Sequence, residues 1–139
     1  MKTSPISFRP SRSLASRLDA LHDRTGIPKG QLVEALADEA ERARRYPGIA
    51  FRGPELKRRA WIIGSSLDAW EVVQVWQDLQ EDSEAVRSQL GLTDRQISLA
   101  LAYYREFSDE INQALGRSRR SLRELKIAYP FIEALEVEV

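Results

Sequence analysis

The chain contains no cysteine, one histidine and one methionine among 139 residues. Without cysteine, disulfides and thiolate metal sites are excluded. A lone histidine, His22, with no second His or Cys beside it argues against a metal centre. The same scarcity argues against nucleophilic or His-based catalysis. Nowhere does an apolar run approach the roughly 18 residues that a membrane helix needs. The N-terminus also lacks the apolar core of a signal peptide. Acidic groups crowd residues 78–84, but a consecutive acidic run is a solvated face rather than a pair of catalytic carboxylates. The expectation is a cytoplasmic protein that is not an enzyme, with no cofactor, no metal and no membrane partner.

Net charge is also missing: 21 basic groups balance 21 acidic ones. The balance hides an asymmetry. Residues 1–45 carry a net +3, residues 46–66 another +3, residues 67–114 a net −7, and the last 25 residues a net +1. A basic first half with an acidic centre is compatible with nucleic-acid binding by one part only.

What is present is mostly helical patterning. Residues 3–13 read TSPISFRPSRS, in which Ile6, Ser7, Phe8 and Arg9 alternate apolar and polar before Pro10. A strand this short is not stable alone. Ser11 or Ser13 can then cap a helix with Leu14, Ala15, Leu18 and Leu21 on one stripe, closed by Thr25-Gly26. Pro28 suits the first turn of a second helix carrying Leu32, Val33, Leu36 and Ala40. Tyr46-Pro47-Gly48 marks a boundary. Beyond it, IAFRG and RRAWIIG flank PELK and suggest a small hairpin. A helix is expected over SSLDAWEVVQVWQDLQ with Leu67, Trp70, Val73, Trp76 and Leu79 on its apolar face. A short helix from Ser83 ends at Gly91, and Thr93-Asp94-Arg95-Gln96 has the form of a capping box. The next helix carries Ile97, Ala100, Leu101 and Tyr104, and Ser108-Asp109-Glu110 caps another with Ile111 and Leu115. The pair of helices around LGLTD is spaced as in a helix-turn-helix unit. The segment from Gly116 onward is basic, then apolar and acidic, and reads as a separate module.

The strand, hydroxyl cap, Leu-rich helix, Gly-containing turn and second amphipathic helix of residues 5–45 together resemble the ribbon-helix-helix family of DNA-binding domains. The resemblance implies that two chains pair their strands as an antiparallel ribbon in the major groove, which admits such a ribbon. Ile6 and Phe8 would then face a shared core, and Pro5, Ser7 and Arg9 the DNA. Arg9 can pair bidentately with guanine, and Ser7 can contact either base type. In that family a helix N-terminus clamps a backbone phosphate, usually with a Ser at the cap. Here Pro28-Lys29-Gly30 stands there, so the Lys29 and Gly30 amides and the Lys29 charge would serve. Arg12 and Lys2 are the further phosphate contacts expected.

Residues 48–115 resemble the family called domain of unknown function 433, winged-helix-like units common in bacterial antitoxins. The matching stretches are the hairpin, IIGSSLDAWEVV and LTDRQISLALAYYREFSDEI. That family's hairpin usually ends in Gly-Thr-Arg, where this chain has Gly64-Ser65-Ser66. Taken together, the chain is similar to a VapB-type antitoxin of a type II toxin–antitoxin system. The resemblance implies a PIN-like ribonuclease toxin as partner.

Other features keep two readings. Lys57, Arg58 and Arg59 are either a wing touching phosphates or a solvated turn. The acidic surroundings of the helix at Thr93 repel phosphate and favour a dimer or protein interface there. Trp70, Trp76, Tyr103 and Tyr104 are core rather than a ligand platform. In the last segment, Arg117, Arg119, Arg120 and Arg123 precede Tyr129 and Phe131; this is either a helix packed on the second domain or a toxin-binding arm that folds on its partner. A guanidinium can occupy the carboxylate cluster of a PIN-like nuclease, with Arg117, Arg119 or Arg120 as the plug.

The expected fold is mainly α: an N-terminal ribbon-helix-helix (intertwined dimer) at 1–46, a winged-helix-like domain with a short β-hairpin at 47–116, and a C-terminal tail at 117–139. The expected partners are a second copy, as a homodimer or higher oligomer, double-stranded operator DNA and the toxin. Two alternatives stand beside this: a dimeric ribbon-helix-helix repressor without a toxin, and a dimerisation module that does not bind DNA.

Overall fold

The computed structural model describes residues 3–130. Six helices and one two-stranded antiparallel sheet make up these residues, so the chain is mainly α. Residues 5–10 form neither helix nor strand and pair with no strand among the described residues. Lys2 and Phe131 lie outside the described residues.

Helix α1 (Arg12–Thr25) begins where Ser11 takes an extended conformation and its hydroxyl accepts from the Leu14 amide at 3.2 Å. Gly26 closes it, and the Gly26 amide donates to the His22 carbonyl. Thr25 and His22 then tie the turn: the Ile27 amide donates to Thr25 Oγ1, and the His22 ring meets the Ile27 carbonyl at 2.7 Å. Its Nδ1 must carry the proton there, since a carbonyl only accepts. His22 therefore has a local structural use.

Helix α2 (Lys29–Arg45) packs against α1, and the pair fully buries only Leu18 and Leu32. Pro28 stands at its N-cap without a side-chain cap. Tyr46 ends α2, and the chain turns at Gly48 into the hairpin. Gly48 has φ +109, which L residues rarely adopt, and a Cβ there would lie 2.7 Å from Leu99 Cδ2.

Strands β1 (Ile49–Arg52) and β2 (Arg59–Ile62) pair with Ile49 opposite Ile62 and Arg52 opposite Arg59. The sheet turns Ile49, Ala60 and Ile62 onto the main core. Helices α3 (Ala69–Asp78), α4 (Ser83–Leu90), α5 (Asp94–Glu106) and α6 (Ser108–Ala128) close over it. Val72, Val73, Val86, Ile97, Ala100 and Tyr103 are buried there. Thr93 and Gln96 form the expected capping box: the Gln96 amide donates to Thr93 Oγ1, and the Thr93 amide to Gln96 Oε1.

Several local expectations differ from the structure. Helix α3 starts at Ala69 rather than at Ser65, because Ser65 and Ser66 form a turn in which the Ser65 hydroxyl donates to the Ile62 carbonyl. Its buried residues are Ala69, Val72 and Val73; Leu67, Trp70, Trp76 and Leu79 only flank the core. In α5 the buried tyrosine is Tyr103, with Tyr104 half-buried. The N-cap of α6 is Phe107, not Ser108, since a single residue separates α5 from α6. The boundary expected at 116/117 falls inside α6, which runs unbroken through Gly116. Glycine costs only about 1 kcal/mol relative to alanine within a helix, too little to end one anchored by Ile111 and Leu115.

Candidate nucleic-acid interface and helical arm

The expected readers lie on the segment that leads into α1. Pro5, Ser7 and Arg9 are exposed, and so are the apolar residues alternating with them: Ile6 is 94% exposed and Phe8 59%. Neither belongs to the core of this chain. Arg12, the first residue of α1, is exposed beside them.

At the start of α2, Lys29 and Gly30 are exposed. The Gln31 and Leu32 amides return to the Pro28 carbonyl, which leaves the first amides of the helix facing outward. The Lys29 ammonium bonds Asp19 of α1, and that hydrogen bond raises its pKa. Both side chains are more than half exposed, so this pair is weak and exchangeable. Helix α2 thus presents a free N-terminus with a cation beside it.

The opposite end of α2 is bolted to the second unit. Arg42 stacks over Phe107 at 3.8 Å and donates to Tyr103 Oη at 2.9 Å and Glu110 Oε1 at 2.5 Å. Asp38 Oδ2 lies 3.1 Å from Arg42 Nε, close enough for attraction but not aligned as a hydrogen bond. Burial alone would make the Arg42 charge costly; the bonds to Glu110 and Tyr103 outweigh it and raise its pKa. Tyr103 is raised as well, first by burial and then by the Glu110 charge. Tyr46, Tyr103 and Phe107 pack edge-on or tilted around this arginine. One turn further, Arg45 bridges Glu41 and Glu106, and the Tyr46 hydroxyl donates to Glu106 at 2.6 Å. These bonds, Arg45 first, hold the Glu106 carboxyl down to about 2. The Arg-rich end of α2, legible in the sequence only as the close of a helix, is therefore a joint. The spacing of Asp38 to Arg42 and of Glu41 to Arg45 marks i,i+4 pairs within α2 and does not point to Glu110 or Glu106.

The three basic hairpin residues divide. Arg58 bonds Glu39 of α2 at 2.6 Å and donates to the Phe51 carbonyl. Arg59 and Arg52 converge on Asp68, at 2.7 and 2.8 Å. Asp68 is 3% exposed and also accepts from Trp70 Nε1. Only Lys57 of the three is left without an ion pair among the described residues. At the start of α5, Asp94 pairs with Arg87 rather than standing free.

On α6, Arg117, Arg119, Arg120 and Arg123 are exposed along with Tyr129. Arg119 reaches Gln77 at 3.5 Å. Leu122, Leu125 and Ile127 are 44, 42 and 74% exposed, so beyond residue 117 the helix shows apolar side chains among its arginines. Among the described residues no hydrogen bond or ion pair joins the α6 arginines to Pro5, Ser7 or Arg9.

No helix of the described residues is long and apolar enough to cross a membrane. Comparison with protein-family models, curated proteins and solved structures finds no match.

Proposed function

We propose that this chain is a homodimeric, DNA-binding antitoxin: paired N-terminal segments read operator DNA and repress its operon, and the α6 arm neutralises a PIN-like ribonuclease. The observation that carries the DNA-binding half is the segment at residues 5–10. It carries no secondary structure of its own, its two large apolar side chains stand 94% and 59% exposed outside the core, and it feeds directly into the capped start of α1. A second copy supplies what it lacks. Pairing the two segments as an antiparallel ribbon puts Ile6 and Phe8 of both chains on one face and Ser7 and Arg9 on the other. A ribbon of that width fits the major groove, where Arg9 pairs with guanine. The outward amides of Lys29 and Gly30 then suit a flanking phosphate.

The second unit supports a winged-helix-like reading in the order of its parts: a hairpin next to a tightly linked helix pair, with Gln96 of α5 donating to the Ile63 carbonyl after β2. Its chemistry favours scaffolding over DNA contact. Arg58 and Arg59 are committed to carboxylates, which leaves Lys57 for a phosphate. The arm half rests on the exposed arginines and apolar stripe of α6.

Gel-shift titrations with the promoter region test the first half. Arg9→Ala abolishes sequence-specific binding, whereas Lys29→Ala weakens binding to every sequence and flattens its salt dependence. Equal affinity of wild type and Arg9→Ala for the promoter would overturn the ribbon reading. Co-purification with the neighbouring gene product tests the second half. Combined substitution of Arg117, Arg119 and Arg120 by alanine loses nuclease neutralisation and leaves the gel shift unchanged; loss of both together would refute the division of labour.

A further inference from the structure

A groove of about 560 Å³ lies between the hairpin, α3 and the first half of α6. Trp70, Ile111 and Ala114 give it apolar surface, and Leu56 lines it from the hairpin turn. Leu56 is 48% exposed, lies outside the core and holds φ at +65. That left-handed conformation costs a residue with a side chain what it does not cost glycine. An exposed leucine kept there at such a cost serves contact with something other than its own core.

The apolar surface continues past the groove. Ile111, Ala114, Ser118, Leu122 and Leu125 recur along α6 at steps of three and four residues, which sets them on one side of the helix. Leu122 and Leu125 are exposed. Fourteen residues separate Ile111 from Leu125, about 21 Å at the helical rise. A surface of that length and shape suits a helix laid alongside it, apolar face inward.

The charges around it are of one sign. Arg58, Arg59 and Glu110 are satisfied by Glu39, Asp68 and Arg42. Lys57 and Arg117, which also line the groove, make no ion pair among the described residues. Residues 117–125 hold four arginines against Glu124 alone. A second copy's α6 would bring the same cations to the same stripe and be repelled. A nucleic-acid backbone offers nothing apolar to Leu122 and Leu125. A helix with one apolar face and acidic flanks satisfies both the stripe and the cations.

We infer that the groove and the α6 stripe together dock an acidic amphipathic helix of a partner protein, its apolar side chains on Leu56, Trp70, Leu122 and Leu125 and its carboxylates against Lys57 and Arg117. This depends neither on DNA binding nor on the partner being a nuclease, and its test uses neither.

The probe is a synthetic helical peptide with leucine along one face and glutamate over the rest; its counterpart carries lysine in place of every glutamate. Titrated into the isotope-labelled full chain, the glutamate peptide should shift the amide NMR signals of Lys57–Ala60, Ile111–Arg117 and Leu122–Leu125. The lysine peptide should bind at least about tenfold more weakly. The double variant Lys57→Glu/Arg117→Glu changes two exposed residues. It should lose at least about tenfold in affinity for the glutamate peptide, with the signals of buried Tyr103 and Val73 in place. Leu56→Gly should also weaken binding without lowering the thermal midpoint, because glycine takes a positive φ without strain; a merely structural leucine would lower it. Equal binding of the two peptides would overturn the proposal, and so would unchanged affinity in the double variant. Co-sedimentation of the chain with phosphatidylserine vesicles, lost in the double variant, would assign the surface to a membrane and overturn it as well.

Discussion

Replacing Ile6 and Phe8 together by serine removes the apolar face of the N-terminal segment and leaves the core of the chain untouched. Fully burying an Ile or Phe side chain stabilises by about 1.5–3 kcal/mol. Ile6 has 94% of its surface to bury and Phe8 59%, so the two contribute about 2–4.5 kcal/mol per chain. A dimer has two of each, or about 5–9 kcal/mol as an upper bound. Taking the lower end, at 1.4 kcal/mol per tenfold, dimerisation should weaken by at least about 10³-fold. Sedimentation equilibrium over a concentration series reads that constant directly. Circular dichroism should show unchanged helix content, because neither residue belongs to the core. Arg9→Ala is the control, since it lies on the other face and should leave the dimer intact. A double variant that dimerises within about tenfold of wild type would refute the reasoning, and so would a wild type that stays monomeric at every concentration.

Asp68→Ala leaves Arg52, Arg59 and Trp70 Nε1 without their shared acceptor. Removing one partner of a fully buried pair costs roughly 3–5 kcal/mol; both arginines are partly exposed here, so about 2–3 kcal/mol is expected. Urea unfolding should show it as a lower midpoint at unchanged slope, and a loss below about 1 kcal/mol would count against it. Gly48→Ala should cost about 1–3 kcal/mol through its positive φ, with Leu99 free to rotate away from the new methyl; a thermal melt at wild-type temperature would contradict this. The Glu106 carboxyl sits at about 2 instead of 4.5 when folded. A depressed carboxyl stabilises the fold above its unfolded value and loses that contribution as pH falls through the folded one. Stability should therefore drop between about pH 4.5 and 2, and Glu106→Gln should flatten that part of the profile in acid titrations followed by circular dichroism.

Local chemistry was legible in the sequence wherever a side chain acts on its own backbone. Ser11, Gly26, Gly91 and the Thr93–Gln96 box end or begin helices as their residue types dictate. The hairpin was equally plain, with β-prone runs on both sides of PELK. Two neighbouring hydroxyls misled at α3, because Ser65-Ser66 offers as good a cap as Asp68 and only the bridge from Trp61 to Asp68 decides between them. The joint at Arg42 and the clamp at Asp68 were invisible for a different reason. Their partners sit 68 and 16 residues away, and no local pattern encodes which carboxylate an arginine will meet. Of the candidate interface, the exposure of Ile6 and Phe8 and the open start of α2 follow from composition, whereas the commitment of Arg58 and Arg59 to Glu39 and Asp68 needed the fold.

The unbroken course of α6 has a mechanical consequence. Its 21 residues make a rod about 31 Å long, anchored in its first half, where Ile111 and Leu115 are buried and Glu110 holds Arg42. A rod held that way is a lever with its fulcrum beside the end of α2. A tilt of about 10° at the fulcrum sweeps the far tip through about 5 Å over that length. Conversely, a load placed on the tip is delivered, with mechanical advantage, to the Arg42 guanidinium at the end of α2.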